Sequence, residues 1–164
     1  MSKIKIFIVI GFALLTSCEK LVKVDYPNNQ IGTDQVFNDL RTANSALAGL
    51  YAQLRDRSLI TGGSFVGVAP LIGSYSDELD CFYYDQNGVG DIYQNLPQES
   101  NTTIESIWNI AYQQIYYTNS IIKGVEHSTV LVESDKNHLM GEAIFIRSLI
   151  YYYLQQLFGD VPYT

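Results

Sequence analysis

The sequence has little of the chemistry on which most metal and disulfide sites depend. Its 164 residues include two cysteines, two histidines and one tryptophan. No cysteine or histidine stands at the spacing of a zinc site. Ten basic residues stand against seventeen acidic ones, and this acidic balance argues against nucleic acid as a partner. We therefore predict no metal site, no cofactor and no bound nucleic acid.

Long apolar runs are also scarce, and the one that opens the chain is too short to cross a bilayer. It covers residues 4–15 after a basic start, whereas a spanning helix needs about 20 apolar residues. This pattern is typical of a secretory signal. The Leu-Thr-Ser that precedes Cys18 resembles the lipobox of bacterial lipoproteins, in which the cysteine is acylated. We expect residues 1–17 to be a signal peptide and Cys18 the lipid attachment; the alternative is an ordinary signal with an incidental cysteine.

Residues 18–32 are predicted to be a lipid-anchored tether, because a proline and paired asparagines disfavour regular structure there. Without the signal, eight basic residues remain against seventeen acidic ones. Electrostatic binding to anionic lipid is therefore disfavoured, and membrane attachment depends on the lipid at Cys18. Acylation of Cys18 leaves Cys81 as the single thiol, so no intramolecular disulfide can form.

From residue 33 onward, apolar residues recur at helical spacing, which predicts an all-α fold. Residues 81–101 are rich in tyrosine and asparagine and show no period, so we predict a long loop there. The first two predicted helices run from Thr33 to about Asp56 and from Pro70 to Glu78. The third runs from a capping box at Thr102 and Glu105 to a stop at Gly124. The fourth runs from a cap at Ser134 to Leu157, and Gly159 and Pro162 end it.

The last predicted helix is apolar on nearly every face between Ile144 and Leu154. Such a helix needs neighbours on several sides. The few other predicted helices cannot supply them, and an uncovered patch of this size would favour aggregation. We expect either that the chain is a fragment or that another protein covers the far face.

The long loop holds the candidate ligand contacts. A sugar presents an apolar face with hydroxyls around it, so aromatic rings beside amides suit it. The candidates are Phe82, Tyr83, Tyr84, Tyr93 and Asn95, and the alternative is that these side chains fold back onto the helices. Residues 85–91 imitate a calcium loop but lack two EF-hand ligands. A glycine-asparagine turn is favoured there, and a looser calcium site stays open.

Asp77, Glu78 and Asp80 form an acidic cluster that a hydrolase could use. A glycosidase needs two carboxylates on opposite sides of a bond, and adjacent helical residues point apart. We therefore predict no catalytic residue. Arg147, on an apolar helix, is expected to form a structural ion pair, with Asp77 or Glu142 as the candidate partner.

Several segments resemble the SusD/RagB family of outer-membrane lipoproteins, and they follow the family's order. Residues 106–122 resemble its helix with Trp-Asn and a following tyrosine, and residues 141–154 resemble its G-E-A-x-F-L-R-A-x-x-Y-F-x-L pattern. Residues 157–162 are close to its L-F-G-D-V-P, and residues 46–51 and 76–79 resemble its first helices. Ser148 departs from the usual alanine, and family members continue well beyond residue 164.

The resemblance implies tetratricopeptide-like helical hairpins with long loops, with residues 33–164 as a truncated N-terminal helical domain. It implies a non-catalytic lipoprotein exposed on the outer membrane. Such a protein binds an oligosaccharide or peptide and acts as a hinged lid on a SusC-like TonB-dependent barrel transporter. The alternatives are a lipid-anchored hydrolase that uses the acidic cluster and a helical scaffold that faces the periplasm.

Overall fold

A computed structural model describes residues 33–61, 67–82 and 88–164. The predicted signal peptide, Cys18 and the tether lie outside these ranges, as do Tyr83, Tyr84 and residues 85–87. The described residues contain helices and no strand, which confirms the all-α prediction. The helices are α1 Thr33–Val36, α2 Leu40–Asp56, α3 Val68–Tyr75, α4 Val89–Tyr93, α5 Thr102–His127 and α6 Glu133–Phe158.

Helices α5 and α6 form a long hairpin at the centre of the fold, and α2 packs against both. Each of the two has 26 residues and is therefore about 39 Å long. The buried side chains of α6 recur every three or four residues, as helical periodicity predicts. They are Leu139, Ala143, Ile146, Ile150 and Leu154.

The opposite face of α6 is open to solvent. Phe145 is 64% exposed, and Ile144 and Tyr152 are exposed as well. The described helices therefore cover one side of this apolar helix, and the cover expected for its far face stays a prediction.

The first long helix predicted from residue 33 is in fact two helices. The chain leaves helical geometry after α1, and the extended Asp39 then caps α2 by accepting the amide hydrogen of Arg41 at 2.9 Å. Thr33, the predicted start of the helix, is the first residue of α1. The break turns Phe37 into the core, where it is buried.

The predicted stop at Gly124 is wrong, because α5 continues to His127. The glycine has a packing reason: a Cβ at this position would overlap the ring of Phe37. The neighbouring Ser128 hydroxyl donates to the Phe37 carbonyl oxygen at 2.6 Å. Gly124 therefore marks a close approach between α5 and the segment before α2, and not a helix end.

Two predicted caps are also wrong. Asn101, not Thr102, caps α5, since its Oδ1 accepts the amide hydrogens of Thr103 and Ile104 at 3.1 Å each. Both residue types make good caps, so the pattern could not decide between neighbours. Helix α6 starts at Glu133, one residue before the predicted cap Ser134, without a side-chain cap.

The shorter elements differ by a few residues from the prediction. Helix α3 has its proline in the first turn as expected, but it ends at Tyr75 and not at Glu78. The predicted loop of residues 81–101 contains the five-residue helix α4. Gly159, at positive φ, ends α6 as predicted.

Candidate functional site

The described candidates of the aromatic loop lie around helices α3 and α4. Phe82 is the most open, with 82% of its surface exposed. Tyr93 is half-buried, and its hydroxyl donates to Asp80 Oδ1 at 3.4 Å. Asn95 is exposed at the end of α4. Phe82 thus presents an aromatic surface to solvent, whereas Tyr93 is partly covered.

Asn95 has a backbone role that the sequence interpretation missed. Its φ is +58°, in the left-handed region that asparagine tolerates better than most residues. The amide hydrogen of Leu96 reaches the carbonyl of Asp91 at 2.8 Å, and that of Asn95 reaches Ile92 at 3.1 Å. This pair of bonds is a Schellman ending of α4, which accounts for Asn95 without a ligand.

Asp77 occupies the equivalent position after α3. Its φ is +60°, and the amide hydrogens of Glu78 and Leu79 both reach the carbonyl of Gly73, at 2.9 and 3.0 Å. The acidic cluster is therefore an exposed turn that reverses the chain at a helix end. Within the described ranges, no group of three His, Cys, Asp or Glu side chains could hold a metal ion.

Two clefts flank α3, and Leu71 lines both. The larger, about 320 Å³, is walled mainly by apolar side chains and includes Ile72 and Tyr75. The smaller, about 220 Å³, has Phe82 and Asp80 at its edge. We call the exposed residues Ile72, Tyr75 and Phe82 the α3–α4 surface.

Arg147 has a different partner from those predicted. Its Nη1 donates to the side-chain oxygen of Asn119 at 2.7 Å. Its guanidinium carbon lies 5.8 Å from the ring centre of Tyr163, a cation–π distance. Asn119 in turn donates to the carbonyl of Thr164 at 3.1 Å. Arg147 therefore helps to hold the segment after α6 against the hairpin.

Glu142, the other predicted partner, faces α2. Its carboxylate accepts the hydroxyl hydrogen of Tyr51 at 2.7 Å and lies 3.0 Å from Nε2 of His138. The bond to Glu142 raises the pKa of Tyr51 above its usual value, with burial adding to the effect. Glu142 thus links α6 to α2.

Aromatic rings pack together where residues 159–164 meet α5 and α6, a region that we call the hairpin end. The Trp108 ring centre lies 4.9 Å from that of Tyr112 and 5.2 Å, edge-on, from that of Phe158. The Tyr112 hydroxyl donates to the carbonyl of Pro162 at 2.7 Å. Tyr151 stacks on Tyr163 at 4.8 Å. These rings bind the returning segment of residues 159–164, so their role here is structural.

The two histidines lie at the surface, whereas Cys81 lies in the interior. His127 and His138 are both exposed, and Nδ1 of His127 lies 2.8 Å from the carbonyl of Lys123. Cys81 is buried and lines the smaller cleft beside α3. Of the helices that the structure describes, none is long and apolar enough to cross a membrane.

A family model described as SusD-like, "starch-binding associating with outer membrane", matches residues 70–164, more than half of the chain. The chain belongs to the SusD-like family. It is 25% identical to SusD-like protein P25 of Formosa agariphila over 98% of its own length, and 25% identical to SusD-like protein P2 of that organism over 99%. It spans 31% of the length of each. No solved structure gives a significant match.

In this SusD-like chain, the residues that carried the resemblance mostly serve packing. Trp108, Asn119 and Arg147 all lie within the matched region, and all contact the hairpin end or the segment after it. The α3–α4 surface also lies within the matched region. The exposed aromatic surface therefore lies within the matched region but outside the short segments that carried the resemblance.

The sequence analysis did not identify two buried polar residues in the hairpin of this SusD-like chain, Gln114 and Thr118. Gln114 is 2% exposed, and it falls on the apolar stripe of α5 together with the buried Thr118. The sequence signal was the presence of two polar residues on an otherwise apolar stripe. A buried amide such as that of Gln114 needs hydrogen-bond partners, so such a residue indicates a polar contact in the interior. The partners of Gln114 lie 57 and 61 residues away in sequence, which periodicity cannot reveal.

Proposed function

We propose that this chain is the N-terminal part of a non-catalytic, lipid-anchored protein of the bacterial cell surface. It binds a glycan or another nutrient and delivers it to a SusC-like TonB-dependent transporter of the outer membrane. In this proposal residues 1–17 are the signal peptide, residues 18–32 are the tether from Cys18, and residues 33–164 begin the helical domain. The family match over residues 70–164, with its starch-binding description, is the observation that carries the proposal.

The proposed ligand surface is the α3–α4 surface. Phe82 offers an aromatic face to solvent at the edge of a cleft, and Tyr75 and Ile72 line the next cleft. An aromatic plane can stack on the apolar face of a sugar while neighbouring polar groups bond to its hydroxyls. Tyr83 and Tyr84 stay candidate contacts of the same loop.

Binding and hydrolysis of a starch fragment test the non-catalytic proposal together. The whole protein, extracted in mild detergent, is titrated calorimetrically with maltoheptaose, and the mixture is then analysed for shorter products. We expect binding without products. Release of shorter sugars that Asp77→Asn abolishes would favour the hydrolase alternative instead.

Phe82→Ala locates the binding surface. We expect it to weaken maltoheptaose binding by roughly five- to a hundredfold, the range expected for the loss of one stacking residue at a hot spot. Phe145→Ala removes another exposed phenylalanine, from α6, and serves as the matched control. Equal affinities of the two variants would argue against the α3–α4 surface.

Cys18→Ser tests the anchor. In cells that lack the partner barrel, we expect this variant to leave the membrane fraction while its affinity for maltoheptaose is unchanged. A variant that stays in the membrane fraction would contradict lipid attachment at Cys18. Protease treatment of intact cells separates a surface protein, which is cut, from a scaffold that faces the periplasm.

A further inference from the structure

The negative charge of this protein is concentrated in the part of the chain that builds the α3–α4 surface. Residues 58–122 contain seven acidic side chains and no lysine, arginine or histidine. The rest of the chain holds ten acidic and ten basic residues. The whole formal charge of −7 therefore falls on the segment that carries α3, α4 and most of α5.

Within the described ranges, no cation offsets this charge. The ion pairs of these ranges involve residues 39–56 and 138–142, and none includes an acid of residues 58–122. Asp91 accepts a hydrogen bond from the side-chain amide of Asn101 at 3.2 Å, and Asp80 accepts one from the hydroxyl of Tyr93 at 3.4 Å. Both donors are uncharged, so a ligand on this surface meets uncompensated negative charge.

Asp80 brings this charge to a cleft. It is exposed and lines the smaller cleft together with Phe82. Of the described residues that line either cleft beside α3, it is the one that carries a charge. A carboxylate can only accept hydrogen bonds. A hydroxyl or an ammonium group can donate to it, whereas a second carboxylate or a sulfate is repelled.

The same cleft contains a polar group that the protein leaves unused. Ser74 lines the cleft and is 7% exposed, and its hydroxyl makes no hydrogen bond to any described residue. In the described ranges, Oε1 of Gln114 is the one side-chain oxygen or nitrogen that is both unpaired and closed off from solvent. The Ser74 hydroxyl therefore keeps access to the cleft, where it can bond to a ligand hydroxyl.

We propose that the α3–α4 surface selects its glycan by charge. It binds neutral and amine-bearing sugar units and excludes units that carry a carboxylate or a sulfate. Phe82 stacks on the ring face, the Ser74 hydroxyl bonds to a ring hydroxyl, and Asp80 accepts from a hydroxyl or an ammonium group and determines the specificity. The proposal rests on the glycan-binding function proposed above and adds the class of glycan to it.

Three forms of maltoheptaose test this proposal, because they keep the rings and differ only at carbon 6, which bears a hydroxyl, an amine or a carboxylate. Each is titrated into the whole protein in mild detergent. We expect the amine form to bind roughly threefold to tenfold more tightly than maltoheptaose, and the carboxylate form to bind roughly fivefold or more weakly. Added salt should reduce both differences. Equal or tighter binding of the carboxylate form would overturn the proposal.

Asp80→Asn removes the charge at the cleft and keeps the size of the side chain. We expect it to reduce the ratio of the amine-form affinity to the carboxylate-form affinity by roughly threefold or more. Glu126→Gln is the matched control, because it removes the same charge from the far end of α5, where Glu126 is exposed and lines neither cleft. An equal reduction in both variants would overturn the proposal, since it would indicate a general effect of net charge.

The charge selection and the glycan-binding function can fail separately. If the three forms bound equally and Phe82→Ala weakened all of them, glycan binding at this surface would stand and the charge selection would not. If none of the three forms bound, the glycan-binding proposal itself would fail, and the charge selection with it.

Discussion

The hairpin end and the α3–α4 region use the same residue types for opposite purposes. At the hairpin end, the Trp108 ring packs against that of Tyr112. Tyr112 and Tyr151 contact the returning segment of residues 159–164. Around α3 and α4, Tyr75 and Phe82 face solvent beside clefts. Aromatic content alone therefore does not mark a ligand site. The difference lies in whether the polar tips and ring faces are already used by the protein.

The largest expected effect comes from the hairpin core. Leu154 on α6 is fully buried, and Leu154→Ala should lower the free energy of unfolding by about 2–5 kcal/mol. Phe145→Ala, on the exposed face of the same helix, should change it by less than about 0.5 kcal/mol. Urea unfolding measures both. Similar losses would mean that the far face of α6 is covered as well.

The next effect separates two glycines of the hairpin. Gly124→Ala should cost about 1–3 kcal/mol, because the new methyl group meets the ring of Phe37. Gly141→Ala, inside α6 with open space around it, should instead stabilise the protein by roughly 0.5–1 kcal/mol. Thermal unfolding shows whether each substitution lowers or raises the stability of the protein. Stabilisation by both substitutions would show that Phe37 does not pack on α5.

A smaller effect tests the backbone role assigned to Asn95 in the α3–α4 region. Asn95→Ala should lower stability by roughly 1 kcal/mol, because alanine adopts the left-handed conformation poorly, whereas Asn95→Gly should be tolerated. Neither should change maltoheptaose affinity by more than about twofold. Loss of affinity in Asn95→Gly with unchanged stability would restore Asn95 as a ligand contact.

The smallest effect lies outside both regions, at the cap of α2. Bonds from the amide and guanidinium of Arg41 hold the pKa of Asp39 below its usual value. The cap therefore contributes stability above the unfolded-state pKa of Asp39, and this contribution is lost as the pH falls through the lower folded-state value. The free energy of unfolding, measured across acidic pH, should depend less steeply on pH in Asp39→Asn than in the unaltered protein. An unchanged slope would contradict the cap.

The two regions also differ in how well the sequence predicted them. The apolar stripes of α5 and α6 are long and periodic, so their existence and the all-α class followed from spacing. The break at Phe37 and the continuation of α5 through Gly124 could not be predicted from spacing. Both depend on the close approach of these two residues, which lie about 90 positions apart in the sequence. The cap of α5 was misplaced by one residue because Asn101 and Thr102 are both competent caps.

The site was less predictable than the fold. Asp77 and Asn95 were singled out for their polar side chains, but their positive φ angles place them at helix ends. Arg147 was expected to meet a carboxylate and meets an amide. Gln114 was overlooked because its partners are distant backbone carbonyls. For Arg147 and Gln114 the deciding contact is tertiary. For Asp77 and Asn95 it is a local backbone conformation at a helix end, which residue type and spacing alone did not identify.

Amide hydrogen exchange of the whole protein, with and without maltoheptaose, tests the central claim most directly. If the α3–α4 surface is the ligand site of this SusD-like chain, the ligand should slow exchange in residues 71–96 and leave the buried amides of α6 unchanged. Slower exchange confined to the hairpin end, with no change around Phe82, would contradict the account.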